Sequence, residues 1–325
     1  MPDFDVMNVI QAIKKISFFG SKRGFVSLCE KMSSVKFYAA AAPTLWVVLF
    51  LVVPLLIVLK ISFTESAFSI PPFSNVFDVA GDYALHIKLS LKNFAGVVFD
   101  HYYITAFINS VFLGILATII CLFIGFPIAY GISTARNTAK YVLILLIALS
   151  FGTSFLLRVY SWINFLSPCG LLNTALLKCG MIDEPIQFFG SYVAVCMGVV
   201  FCYLPFMIFP IYAVLSKIGR EYIESALDLG CSPRVAFWCV SVPLSRSGVA
   251  TGCVMIFAMA AGEFVIPELL GSADTTTFGR VLWNEFYTNL DWPMACALSV
   301  AMLTIVTLPI YLFQRRSRIL ASSED

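Results

Sequence analysis

Arg220-Glu221-Tyr222-Ile223-Glu224-Ser225-Ala226-Leu227-Asp228-Leu229-Gly230 is a polar island between two long apolar stretches, Ser191 to Leu215 and Gly248 to Leu270. Read as a helix from Arg220 to Leu229, it puts Tyr222, Ala226 and Leu229 on one side at helical spacing. Glu221 and Glu224 fall in the first turn, where acids complement the helix dipole, and Gly230 supplies a C-terminal stop. Pro233 and Pro243 then set rigid bends leading back into the apolar chain. Such a knob can seat in a groove of a partner, and its rotation would be passed to the membrane part. On residues alone, the competing reading is an ordinary amphipathic helix lying in the membrane interface.

The flanking chain fixes the solvent. It is 60% hydrophobic and 12% charged, with a mean hydropathy of +0.90, whereas soluble domains carry about 25% charged residues. The reading is an all-α integral membrane protein. Six stretches have the apolar length to cross a hydrocarbon core as helices: Phe37 to Leu59, Tyr103 to Tyr130, Tyr141 to Leu156, Ser191 to Leu215, Gly248 to Leu270 and Met294 to Phe313. Residues 1–36 form a leader, 37–314 one membrane domain with the polar loop at about 217–247, and 315–325 a tail.

Charge sets the orientation. Lys14, Lys15, Lys22, Arg23, Lys31 and Lys36 precede the first span, and Arg136 and Lys140 separate the second from the third. Lys217, Arg220, Arg234 and Arg246 separate the fourth from the fifth, and Arg315, Arg316 and Arg318 follow the sixth. Fifteen of the 21 basic residues thus share one side, expected to be cytoplasmic, and an even span number puts both termini there. The first apolar run is too long for a signal peptide and has no small-residue cleavage site, so it reads as a retained helix. Val9 to Phe25 reads either as a surface helix or as a loosely ordered tail, and Ile61 to Tyr102 as a small outer lid or docking surface.

Several chemistries find no support. The chain has no Gly-x-x-x-x-Gly-Lys-Ser/Thr phosphate loop, so ATP hydrolysis belongs to a separate subunit. Its two histidines, His86 and His101, lie in the first outer loop without neighbours at metal-ligand spacing, and no cofactor or metal is expected on this chain. The ten cysteines include no Cys-x-x-Cys pair. Cys169 and Cys179 share an outer loop, and spacing alone leaves open whether they are bridged.

The cassette Glu224-Ser225-Ala226-Leu227-Asp228-Leu229-Gly230, followed after nine residues by Val240-Ser241-Val242-Pro243, resembles the coupling loop of ABC importer permeases. That pattern runs Glu-Ala-Ala, three residues, Gly, nine residues, Ile-x-Leu-Pro; Ser225, Val240 and Val242 are this chain's departures from it. Leu157-Arg158-Val159-Tyr160-Ser161-Trp162, Tyr203-Leu204-Pro205-Phe206-Met207, Gly262 to Gly271, Gly279-Arg280-Val281-Leu282-Trp283 and Asp291-Trp292-Pro293 stand in the order found in polyamine importer permeases, most like the putrescine-type subunit. The similarity implies a type I ABC importer permease fold in a bacterial inner membrane and transport by alternating access, without covalent chemistry. It also implies the partners: a second permease in a heterodimer, two ATP-binding subunits that hold ATP and Mg, a periplasmic substrate-binding protein and lipid, but no nucleic acid. Tyr222, Glu224, Ala226, Leu229, Gly230 and Pro243 are the expected coupling residues. Another cargo, such as ferric iron, thiamine or a phosphonate, is the nearer alternative; a membrane-embedded enzyme or channel is the more distant one.

A cargo path needs groups that replace hydration. An ionisable group in a span costs at least ~2.5 kcal/mol to insert, so it faces a cavity or a partner. Glu263 lies about two-thirds along the fifth span, on one face with Gly252, Ile256, Met259 and Pro267, with a break expected just above it. Two readings stay open: contact with an amine cargo, or an ion pair with Arg158. Glu268 and Asp291 are shallower acids, solvated by default. Tyr160, Trp162, Trp283 and Trp292 read either as a cation–π cage or as a membrane-interface belt.

Overall fold

The structure is a computed structural model that describes residues 41, 43–67, 69, 71–74, 77–79, 85–87, 90–218, 220–272 and 275–321. The leader segment Val9 to Phe25 lies outside the described residues. The chain divides into two units, Met1–Val58 and Leu59–Asp325. In the first, the described residues belong to the apolar helix α1, Pro43–Ser62, which ends in the second unit. Its side chains from Leu45 to Val53 are exposed, and it contains a π-helical turn at Val48–Val52.

In the second unit, an antiparallel hairpin pairs β1 (Phe77–Val79) with β2 (Leu85–Ile87), and a short helix, α2 (Lys92–Phe99), follows. The described residues between Ile61 and Tyr102 form this small module. Asn93 anchors it: its side-chain amide donates to the carbonyls of Ser62 (3.1 Å) and Thr64 (2.8 Å).

The core consists of three helices, α3 (His101–Thr134), α7 (Tyr192–Leu215) and α10 (Arg246–Ala261), which pack on one another throughout. Small residues set how closely they approach. A Cβ at Gly252 would lie 2.6 Å from the Met207 sulfur, and one at Gly248 would lie 2.7 Å from the Pro210 carbonyl oxygen. In a bilayer, where lipid is as apolar as leucine, such close contact is the main source of helix association.

Two spans differ from the hydropathy reading, and the sixth forms as one helix. Tyr141 to Leu156 is not one helix: α4 (Asn137–Gly152) ends at Thr153, and α5 (Phe155–Leu166) and α6 (Leu171–Lys178) follow. Arg158 therefore belongs to the first turn of α5 and not to the outer end of the third span. The fifth span is bent at its start, by 62° between α9 (Pro233–Leu244) and α10, and broken near its end. The last helix, α13 (Trp292–Ala321), is apolar over Trp292–Leu308 and continues without interruption through residue 314.

Cys169 and Cys179 are free and exposed. They flank the eight-residue α6, whose rise of about 12 Å holds them beyond disulfide reach.

Candidate functional site

The chain has two ends with different chemistry. At one, α7 leads through Ser216 into the helix α8 (Arg220–Asp228), and α9 returns to the core. At the other lie the starts of α3 and α7 and the described residues from Leu270 to Trp292. Bonds between Tyr103 and Glu285 (3.0 Å) and from Tyr192 to the Asn109 carbonyl (3.2 Å) hold that second end together.

At the first end, α8 covers the helix expected from spacing. Gly230 follows it with φ +85°, a left-handed conformation that glycine adopts without strain. Its N–H donates to the Leu227 carbonyl, and the Cys231 N–H donates to that of Ala226, which satisfies two carbonyls of the last turn. Tyr222 and Leu229 are exposed, Leu229 to 85%, and Ala226 is half-buried. The two prolines act differently from the rigid bends the sequence suggested. Pro233 opens α9 at a position where its missing N–H has no partner to lose, and Ser232 caps that turn by accepting from the Val235 N–H. Pro243 lies inside α9, and the bend falls after it, at Ser245. Trp238, 67% exposed, adds a large apolar side chain beside α8 that sequence reasoning did not single out.

Between the two ends, a cavity of about 440 Å³ opens beside the break in the fifth span. Its wall includes Phe151, Phe155, Arg158, Cys202, Tyr203, Phe206, Met259, Glu263 and Phe264. Glu263 is not on a helix face. α10 stops at Ala261, the break spans 262–264, and a short helix, α11 (Val265–Leu270), follows. Pro267 does not cause this break, because it lies in the first turn of α11, where no N–H is required of it. The Glu263 carboxylate, 8% exposed, accepts at Oε1 from the N–H groups of Val265 (2.8 Å) and Ile266 (3.2 Å). At Oε2 it accepts from the Tyr203 hydroxyl on α7. Gly279 lets another chain segment close over the break: a Cβ there would lie 2.8 Å from the Glu263 carbonyl oxygen.

Arg158 shares the cavity wall with Glu263, yet the expected ion pair is not formed. Its Nη1 donates to the Cys202 carbonyl at 3.4 Å, its guanidinium lies 5.6 Å from the Phe151 ring and 5.9 Å from the Phe155 ring, and its Nε is buried without an acceptor. The ion pair present among the described residues joins Glu268 to Arg280 at 2.6 Å, and Arg280 also donates to the Ser272 carbonyl at 2.5 Å. Glu268 thus serves as a clamp on the segment after α11.

The other predicted residues do not converge on the cavity. Asp291 caps α13 by accepting from the Met294 N–H. Trp292 stacks on Phe286 (5.1 Å), Trp162 contacts Phe165 and Phe201 edge-on, and Tyr160 is exposed. Trp283 stacks on Phe264 (4.7 Å) and contacts Tyr287 (4.1 Å), outside the cavity wall. Sequence reasoning assigned no role to Tyr203, Phe151 or Phe155; the signal for Tyr203 was its place in the quoted run Tyr203-Leu204-Pro205-Phe206-Met207.

Residues 32–318 match the family described as binding-protein-dependent transport system inner membrane component. The chain belongs to that family. It is therefore a multi-pass inner-membrane permease, a transport subunit and not an enzyme. The spermidine/putrescine transport system permease protein PotB of Haemophilus influenzae is 32% identical over 275 residues, 85% of this chain and 91% of that one. PotB of Escherichia coli K12 is 31% identical over 277 residues, covering 85% and 95%. Among solved structures, a chain of a bacterial alginate ABC transporter in complex with alginate pentasaccharide-bound periplasmic protein superposes with a TM-score of 0.71 over 90% of this permease and 96% of its own length. At 16% identity that likeness speaks for the fold alone.

Proposed function

We propose that this permease carries polyamines, putrescine or spermidine, inward across the membrane as one of two membrane subunits of an ATP-driven importer. The observation that carries this reading is the 31–32% identity, over 85% of the chain, to permeases named for spermidine and putrescine transport. The cavity chemistry agrees with it: one buried carboxylate among aromatic rings suits an aliphatic ammonium group that has left water.

In this reading α8 seats in a groove of an ATP-hydrolysing subunit through Tyr222, Ala226 and Leu229, with Glu224 exposed in mid-helix, Gly230 ending it and Pro243 leading back into the core. The full machine holds a second, different permease, two ATP-binding subunits that bind ATP and Mg, and a periplasmic binding protein that docks at the opposite end. Both termini are cytoplasmic. Closure of the ATPase pair pulls on α8, and the cavity changes sides.

The complex reconstituted in liposomes, with ATP inside and binding protein outside, is the test. Labelled putrescine or spermidine should accumulate with saturation. Accumulation of ferric iron, thiamine or a phosphonate in place of either amine would overturn the cargo assignment.

A further inference from the structure

The cavity already holds a cation, and it is the protein's own. Arg158 lies over the rings of Phe151 and Phe155, two aromatic groups of the cavity wall that an entering ammonium group would use. We infer that the Arg158 guanidinium occupies the seat of a cargo ammonium group, and that a primary ammonium end of a linear aliphatic amine enters by displacing it. The inference rests on the polyamine reading for the identity of the cargo.

The hold on Arg158 is weak for a structural arginine. A guanidinium has five N–H donors, and this one directs a single long bond, 3.4 Å, to a carbonyl while its Nε has no acceptor. Arg280 in the same chain is the contrast: its Nε meets Glu268 at 2.6 Å and its Nη1 meets the Ser272 carbonyl at 2.5 Å. Arg280 is fixed, and Arg158 is parked.

The carboxylate in the same wall is occupied differently. Uncharged donors satisfy Glu263: two backbone N–H groups and the Tyr203 hydroxyl. None of them neutralises its charge, and a carboxylate oxygen with one donor keeps a second acceptor position. The charge in the cavity wall is thus balanced by a positive group that does not touch the negative one. An incoming ammonium group can take over that balance, and the Arg158 side chain, half-buried on a three-methylene stem, can withdraw its charge toward water.

Removal of a resident competitor strengthens cargo binding. In the reconstituted complex, Arg158→Gln should lower the KM for putrescine about fivefold, the size of one moderate cation–π contact, while Arg158→Lys, which keeps a cation in the seat, stays near the wild-type value. A KM that is unchanged or raised in Arg158→Gln overturns the inference. A second measurement covers failure of that variant to assemble. Met259→Cys, in a background without native cysteines, places a thiol in the cavity wall. Relative to the rates of a free thiol in solution, with Arg158 in the seat it should react faster with a sulfonatoethyl methanethiosulfonate than with the ethylammonium reagent, and putrescine should slow that reaction. A relative preference for the cationic reagent overturns the seat. If the wild-type complex imports no polyamine, the cargo reading fails, while the reagent preference still decides the seat by the same criterion.

Discussion

Glu263 is where charge, backbone and helix packing meet. Its carboxylate closes the start of α11 and ties it to Tyr203 on α7. Glu263→Ala removes both backbone caps and strands a buried tyrosine hydroxyl. Loss of a cap costs about 0.5–2 kcal/mol, and an unsatisfied buried polar group about 1–3 kcal/mol. Glu263→Ala should therefore lower the thermal midpoint of the solubilised complex clearly. Glu263→Gln keeps a carbonyl oxygen for the caps and should assemble, yet it should weaken polyamine uptake strongly because the cavity loses its negative charge. A Glu263→Ala complex as stable as wild type would sink the capping role; full uptake by Glu263→Gln would sink the electrostatic one. The acid was legible in the sequence because insertion scales make any buried charge conspicuous. Its partner was not, since a tyrosine in an apolar run looks like every other aromatic residue until the fold aims its hydroxyl.

At the scale of the element, α8 was readable and the breaks only in part: the one expected just above Glu263 falls at 262–264, and the one after Gly152 was not foreseen. Periodicity, an acid in the first turn and a following glycine all bear on one local segment, and the helix forms at Arg220–Asp228 as they require; Glu224, expected in the first turn, falls in mid-helix. The interruptions after Gly152 and Ala261 leave hydropathy nearly unchanged, because lipid-facing and protein-facing residues on both sides are equally apolar. Gly230 gives the element its sharpest test. Its φ of +85° is out of reach for proline and costs other residues about 1–2 kcal/mol, and its N–H bonds the Leu227 carbonyl. Gly230→Pro should abolish substrate-stimulated ATP hydrolysis while the chain still inserts, and Gly230→Ala should reduce it. Glu224→Lys, which reverses an exposed charge on α8, should uncouple as well. Normal stimulation in both Gly230→Pro and Glu224→Lys would remove α8 as the coupling element.

For the whole molecule, the basic residues and the internal bonding give two views of one axis. The loop containing α8 carries Lys217, Arg220, Arg234 and Arg246, whereas Tyr103, Tyr192 and Glu285 gather at the opposite end. Positively charged loops are retained in the cytoplasm. If the first end is cytoplasmic, the hairpin module before α3 and the clamp of Glu268 and Arg280 belong to the outside. With the six crossings expected from the sequence, both termini would share the side of α8; four helices, or five counting the bent pair, have the length and apolarity to cross. Single cysteines in a background without native cysteines test this axis in intact cells with an impermeant thiol reagent. Ser74, in the outer module, should be labelled at once; Ser34 and Ser322 should be labelled only after permeabilisation. Labelling of Ser34 and Ser322 with protection of Ser74 would invert the molecule and turn α8 away from any cytoplasmic ATPase. Labelling at one terminus alone would mean an odd number of crossings, and α4, with 16 residues and about 24 Å of rise, is the helix short enough to be the one that fails to cross.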